Sequence, residues 1–255
     1  VLRSGANTIL NEVSVSFLAR NIAPEVLSIT ILPTNVGLIS NPPIQVDPNI
    51  ELTGLDPAVF GVPNGSVPPR RAYLRGARSF QWTAEDRNGD KLVYDVFYKE
   101  VSESNYKPLR QNLADNFLSL DGQTLADGRY TVRVVAKDVP ENPAGRSLSG
   151  ERISEPFDID NTQPSVTASG TPQTTAGGAQ IVFLASDKSS YLTSAEYSVN
   201  GGQWVTVYAD DGISDGPDER YTIDVPLALP GEYAVTLRVF DSQGNAGNAR
   251  VIVRK

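Results

Sequence analysis

Cysteine, histidine and methionine are all absent from the 255 residues. Without cysteine there is neither a disulfide framework nor a thiolate metal site. Without histidine the chain lacks the commonest general base, the imidazole zinc ligand and any Ser-His-Asp arrangement. Most enzyme classes go with them, and a non-catalytic role is expected. Positive charge is in deficit: 30 acidic residues face 22 basic ones, and the net charge of −8 disfavours a nucleic-acid partner. No apolar run approaches the roughly 20 residues of a membrane helix. The longest, such as Ile181-Val182-Phe183-Leu184-Ala185, have the length of a strand, so no membrane insertion is expected. With no methionine and no signal peptide, a chain beginning at Val1 is expected to be a processed piece of a larger protein.

What the chain does have is turn chemistry and alternation. Eighteen prolines, 21 glycines and recurrent Asn-Gly and Asp-Gly pairs suit short strands joined by turns. The clearest strand follows Leu125-Ala126-Asp127-Gly128-Arg129, where Tyr130, Val132, Val134 and Ala136 alternate with Thr131, Arg133 and Lys137. That period of two is the mark of a strand with one buried face, and only Val135 breaks its outward polarity. The pattern returns 103 residues on, from Tyr130 to Tyr233, as Gly231-Glu232-Tyr233-Ala234-Val235-Thr236-Leu237-Arg238-Val239-Phe240-Asp241. Upstream, Phe80, Trp82, Ala84 and Asp86 match Ile181, Phe183, Ala185 and Asp187 at an offset of 101, and Tyr94-Asp95-Val96 matches Tyr197-Ser198-Val199 at 103. The two-residue difference falls in a connecting loop, where insertions are best tolerated. The fold class expected is therefore all-β, with two tandem antiparallel β-sandwiches.

Three segments are expected. Residues 1–22 carry an alternating stretch over residues 8–20, either a strand of the first module or the last strand of a preceding one. The boundary at Pro24, followed at once by strand Val26 to Leu32, favours the second. Residues 23–161 form the first sandwich, with a long insertion at about 33–78. Ile44, Val46, Ile50, Leu52, Leu55, Val59 and Phe60 are expected to anchor that insertion, and Asp56-Pro57 to open one helical turn. Residues 162–255 form the second sandwich. Asn88-Gly89 predicts a hairpin joining the strand through Trp82 to the strand Leu92 to Tyr98.

These residues resemble tandem fibronectin type III or immunoglobulin-like modules of bacterial cell-surface and secreted proteins. The resemblance rests on Trp82, on Tyr94-x-Val96-x-Tyr98 and on Leu125…Tyr130-x-Val132, which is similar to a tyrosine corner. The second copy departs from it by holding Phe183 in place of the tryptophan. Ala195 to Trp204 is similar to a recurrent hairpin of bacterial Ig-like modules. The resemblance implies an extracellular or cell-surface location, a further domain in the same protein such as a β-propeller, and a spacing, adhesion or assembly role. A carbohydrate- or protein-binding accessory module is the alternative.

In this topology the loops after the second and sixth strands meet at one end of a sandwich. They carry Asp86, Asn88, Asp90 and Asp138 in the first module, and Asp187 and Asp241 in the second. Tandem modules join tail to head, so Asp158, Asp160 and Asn161 of the connecting segment should reach the same end of the second. Oxygen donors of this kind suit Ca²⁺, the one cofactor the residues suggest. The arrangement is loosely similar to the calcium-stiffened junctions of cadherins. Asp and Asn at strand ends also cap turns unaided, and the turn reading is the preferred one at this point. For a glycan partner the aromatic candidates are Tyr191, Trp204, Tyr208 and Tyr221, with Tyr98 and Tyr106 in the first module, whereas Trp82, Tyr94, Tyr130 and Tyr233 are in phase with core positions. Phe240 is out of phase, so it should meet the other module or face solvent.

Overall fold

The computed structural model describes residues 14, 20–42, 52, 54–55, 57–60, 68–143 and 145–255. The expected strand over residues 8–20 lies outside them, as do Ile44, Val46, Ile50 and Asp56.

In the first module β1 (Glu25–Ile31), β4 (Ala77–Glu85) and β7 (Phe117–Asp121) form one antiparallel sheet in the order β1-β4-β7. The facing sheet holds β5 (Val93–Glu100), β6 (Lys107–Leu113), β8 (Gly128–Lys137), β9 (Ser149–Ile153) and β10 (Phe157–Ile159), ordered β10-β8-β5-β6 with β9 also on β8. The final strand arrives in two pieces because Pro156 has no N–H to offer the ladder. Ser154 bridges the break, its backbone N–H donating to the Val132 carbonyl at 2.8 Å and its Oγ accepting from the Val132 N–H at 3.1 Å.

The second module repeats the plan. One sheet is β11 (Ser165–Thr174), β12 (Gly178–Ser186) and β15 (Asp218–Pro226) in the order β11-β12-β15. The other is β13 (Leu192–Val199), β14 (Val205–Val207), β16 (Glu232–Asp241) and β17 (Ala246–Arg254) in the order β14-β13-β16-β17. A three-stranded sheet facing a four-stranded one, with every pairing antiparallel, is the fibronectin type III-like sandwich.

Each module has its own core, and the alternation explains both. Phe80 and Trp82 of β4 meet Val96 of β5 and Val132 and Val134 of β8. Trp82 stacks edge-on against Tyr94, with ring centroids 5.4 Å apart. In the second module Ile181 and Phe183 of β12 meet Tyr221 of β15 and Val235, Leu237 and Val239 of β16. Trp82 and Phe183 are both fully buried at matching positions. The hydrophobic gain of such burial, about 1.5–3 kcal/mol for a Phe-sized side chain, is what holds the two sheets of each module together.

Two expectations need correction. Asn88-Gly89 does not make a hairpin: β4 and β5 lie in opposite sheets. Only Gly89 takes a positive φ there, +80°, with its N–H donating to the Asp86 carbonyl at 3.0 Å. A hairpin turn of type I′ needs both central residues left-handed, and Asn200 (φ +52°) and Gly201 (φ +71°) meet that condition in the true hairpin between β13 and β14. The second correction concerns the insertion. Its ends pair as β2 (Val36–Ile39) and β3 (Arg70–Tyr73), docked through buried Leu38, whose N–H donates to Ser119 Oγ at 2.7 Å. A 3₁₀ turn does form at Pro57–Phe60. Leu52, Leu55, Val59 and Phe60, however, are exposed, where the expectation has them packed inward.

Candidate metal centre

Strand ends place carboxylates at one end of each sandwich. In the first module the chain leaves β4 at Asp86 and leaves β8 at Asp138, and Asp90 follows from the same turn as Asp86. One carboxylate oxygen from each of the three lies within 4.8 Å of the others. Asp86 Oδ1 closes its turn by accepting from the Asn88 N–H at 2.7 Å. Asp138 is fully buried and both its oxygens are engaged, Oδ1 by the Leu148 N–H at 2.7 Å and Oδ2 by Asn21 Nδ2 at 2.6 Å. Asp90 Oδ2 accepts from Asn142 Nδ2 at 2.8 Å.

The equivalent end of the second module gathers Asp187, which follows β12, Asp241, which closes β16, and Asp160 from the segment between the modules. These three also come within 4.8 Å of one another, and all are buried. Asp187 Oδ1 caps its turn through the N–H groups of Ser189 (2.9 Å) and Ser190 (2.8 Å). Asp241 Oδ1 accepts from the N–H groups of Gln243 and Asn245, each at 2.8 Å, and its Oδ2 accepts from Asn245 Nδ2 at 2.8 Å. Asp160 Oδ1 takes the Thr162 N–H at 2.9 Å. The second oxygens of Asp160 and Asp187 are buried with no hydrogen-bond partner. Burial raises the Asp160 carboxyl above its ordinary range; Ser190 and Thr162 oppose the shift, and the charges of Asp187 and Asp241 add to it.

Of the nine residues singled out as metal ligands, Asp86, Asp90, Asp138, Asp160, Asp187 and Asp241 fall into the two triads. Of the other three, Asn88 and Asn161 bond backbone and Asp158 does not. Asn88 Oδ1 accepts from the Ile22 N–H and its Nδ2 donates to the Arg20 carbonyl. Asp158 points outward, 3.9 Å from Arg129. Asn161 donates its N–H to Asp127 Oδ1 at 2.7 Å and its Nδ2 to the Leu125 carbonyl at 2.9 Å.

The same end of the second module touches the first. Thr34 Oγ1 donates to Gln243 Oε1 at 2.7 Å, Arg78 also donates to Gln243 Oε1, and Arg78 Nη2 donates to the Asp158 carbonyl at 2.9 Å. Asn245 Nδ2 reaches the Asp160 carbonyl at 2.9 Å. A groove of about 450 Å³ runs along this junction, lined by Asp127, Asp158, Asp160, Ser190, Tyr191 and Gln243 among others. Arg78 and Gln243 were not anticipated. A signal for Arg78 exists, because it is in phase with Phe80 and Trp82 on the inward face of β4.

Of the aromatic candidates Tyr221 is core, Tyr191 and Tyr208 are exposed, and Trp204 carries the Arg238 guanidinium 4.1 Å from its ring centroid. Arg238 also lies 5.0 Å from the Phe240 ring and pairs with Glu196. Half-buried Phe240 is thus covered from within its own module.

No protein-family model matches this chain, and no curated protein matches it. Among the solved structures similar to it is that of the chicken CNTN1 FN1-FN3 domains, at 15% identity over 76% of this chain and 75% of that one, with a TM-score of 0.35. The fold assignment stands on the strand order and pairing described above.

Proposed function

We propose that the chain is a non-catalytic spacer in an extracellular protein, two sandwich modules held end to end at a fixed orientation. The reading is supported above all by the connection: only Asp160 to Pro164 separate β10 from β11, and Asp160, Asn161 and Thr162 are tied by hydrogen bonds at both ends. Asn161 and Thr162 bond the Leu125–Asp127 turn of the first module, and Asp160 accepts from Asn245 of the second. A flexible linker would be longer and free of such bonds. The secreted or cell-surface setting, and a bacterial source, follow from the resemblance of the modules to such proteins. Within a larger protein, such a pair would set the distance between neighbouring domains or present loops to a protein partner.

Small-angle scattering of the intact chain, compared with a variant carrying a short Gly-Ser insertion between Asn161 and Thr162, tests the reading. The expected result is a parent profile described by one extended conformer and an inserted variant that needs an ensemble. Indistinguishable, ensemble-like profiles for both would overturn it.

A further inference from the structure

We propose that Asp160, Asp187 and Asp241 bind a divalent cation of the calcium class, which clamps the segment between the modules to two loops of the second. This builds on the spacer reading by naming what holds the junction. Asp160 and Asp187 are each only 6% exposed, and the second oxygen of each is buried without a partner. A buried, unsatisfied carboxylate oxygen is costly, and three carboxylates in one place compound the cost by repulsion. Among the described residues no ion pair reaches any of the three. Arg78 interacts electrostatically with Asp158 and Asp160 but donates its hydrogen bonds to Gln243 and the Asp158 carbonyl.

A bound ion relieves both terms. Ligands 2.3–2.6 Å from one Ca²⁺ lie no more than about 5 Å apart, a condition the triad meets. The donors are all hard oxygens, and a chain without histidine or cysteine offers nothing to select zinc. The Oδ1 atoms hold each carboxylate in place through their turns, as hydrogen bonds behind metal ligands orient them. The junction groove, which includes Asp160 and Ser190, gives the ion entry and leaves room for water to complete the six to eight ligands Ca²⁺ takes.

The first-module triad supplies a control in the same molecule. There a single carboxylate oxygen, Asp86 Oδ2, is buried without a partner, against two in the second triad. Asn21 and Asn142 donate to Asp138 and Asp90, and Asp86 and Asp90 are only half-buried where all three second-module carboxylates are buried. The ion is assigned to the second triad.

The test uses the full chain, stripped with EDTA and then titrated with Ca²⁺, Mg²⁺ and the luminescent calcium analogue Tb³⁺. Tyr191, on the same groove, is placed to sensitise terbium emission. The expected result is saturable binding and a melting temperature raised by Ca²⁺ by about 3 °C or more. D187N and D160N should bind at least about tenfold more weakly while melting, in EDTA, no lower than the parent, because each removes a buried like charge. D86N should retain the Ca²⁺ response. No Ca²⁺ dependence in the parent, an undiminished response in D187N and D160N, or loss of the response in D86N alone would overturn the site. An equal response to Mg²⁺ at the same concentration would overturn the calcium assignment. Ca²⁺ binding with modules that still hinge in scattering would keep the site and refute the fixed junction.

Discussion

Tyr130 and Tyr233 make the same hydrogen bond in the two modules: each hydroxyl donates at 2.9 Å to a backbone carbonyl four residues upstream, Ala126 and Leu229 respectively. Each bond pins the turn that feeds β8 or β16 to the strand itself. Y130F and Y233F should each destabilise their own module by about 1 kcal/mol. The larger loss belongs to Y130F, because Tyr130 is buried whereas Tyr233 is half-buried. Chemical denaturation of the two variants measures this, and unchanged midpoints for both would remove the corner from the account.

Two glycines hold the first strand of each module against its last. A Cβ on Gly150 would lie 1.9 Å from the Pro24 carbonyl oxygen, and one on Gly247 would lie 1.8 Å from that of Pro164. Backbone cannot yield there without moving β1 or β11. G150A and G247A should each cost about 1–3 kcal/mol, whereas G177A, with open space around it, should be near neutral. Since Pro164 follows closely on Asp160, G247A should also weaken Ca²⁺ binding, which a calorimetric titration beside G177A would show.

At alkaline pH the buried phenols become the weak point. Burial raises Tyr94, Tyr130 and Tyr221 above the ordinary tyrosine value. Above about pH 10 the unfolded chain releases these protons while the folded one keeps them. Their contribution is therefore fully present below that pH and is lost as pH rises through the raised values. Ultraviolet titration should show these three of the ten tyrosines ionising late, together with unfolding. If all ten ionised in a single early step with the fold intact, the core assignment of these phenols would fail.

Gln243 touches the first module without belonging to either core. Q243A removes its contacts with Thr34 and Arg78 and should change the stability of each module by no more than about 0.5 kcal/mol, while broadening the distribution of intermodule angles. Differential scanning calorimetry and scattering on the same sample separate the two effects. A large loss of stability would mean that Gln243 supports a core.

The repeat was legible because inward positions must alternate, so Trp82 and Phe183, or Val132 and Val235, declare themselves at a fixed offset. The hairpin at Asn88-Gly89 was misread because a dipeptide specifies a turn and leaves open which strands it joins. Turn geometry decides that: of the two, Asn88-Gly89 and Asn200-Gly201, the second places both residues at positive φ. The insertion misled for a related reason: apolar composition does not say whether Leu52 or Val59 has a surface to cover. At the site, Asp86, Asp138, Asp187 and Asp241 were visible as residues ending equivalent strands. Asp160 could be placed only by assuming the direction in which one module follows the other. The alternation of β4 marks Arg78 as inward-facing, but its meeting with Gln243 depends on the angle between modules, which no periodicity encodes.

The most direct measurement is of that angle. Backbone residual dipolar couplings of the intact chain, recorded with saturating Ca²⁺, should fit one alignment tensor for both modules, with the junction bonds of Asn161, Gln243 and Asn245 in place. Two tensors of clearly different magnitude or orientation in the presence of Ca²⁺ would mean that the modules move independently, and the account of a fixed spacer would be wrong.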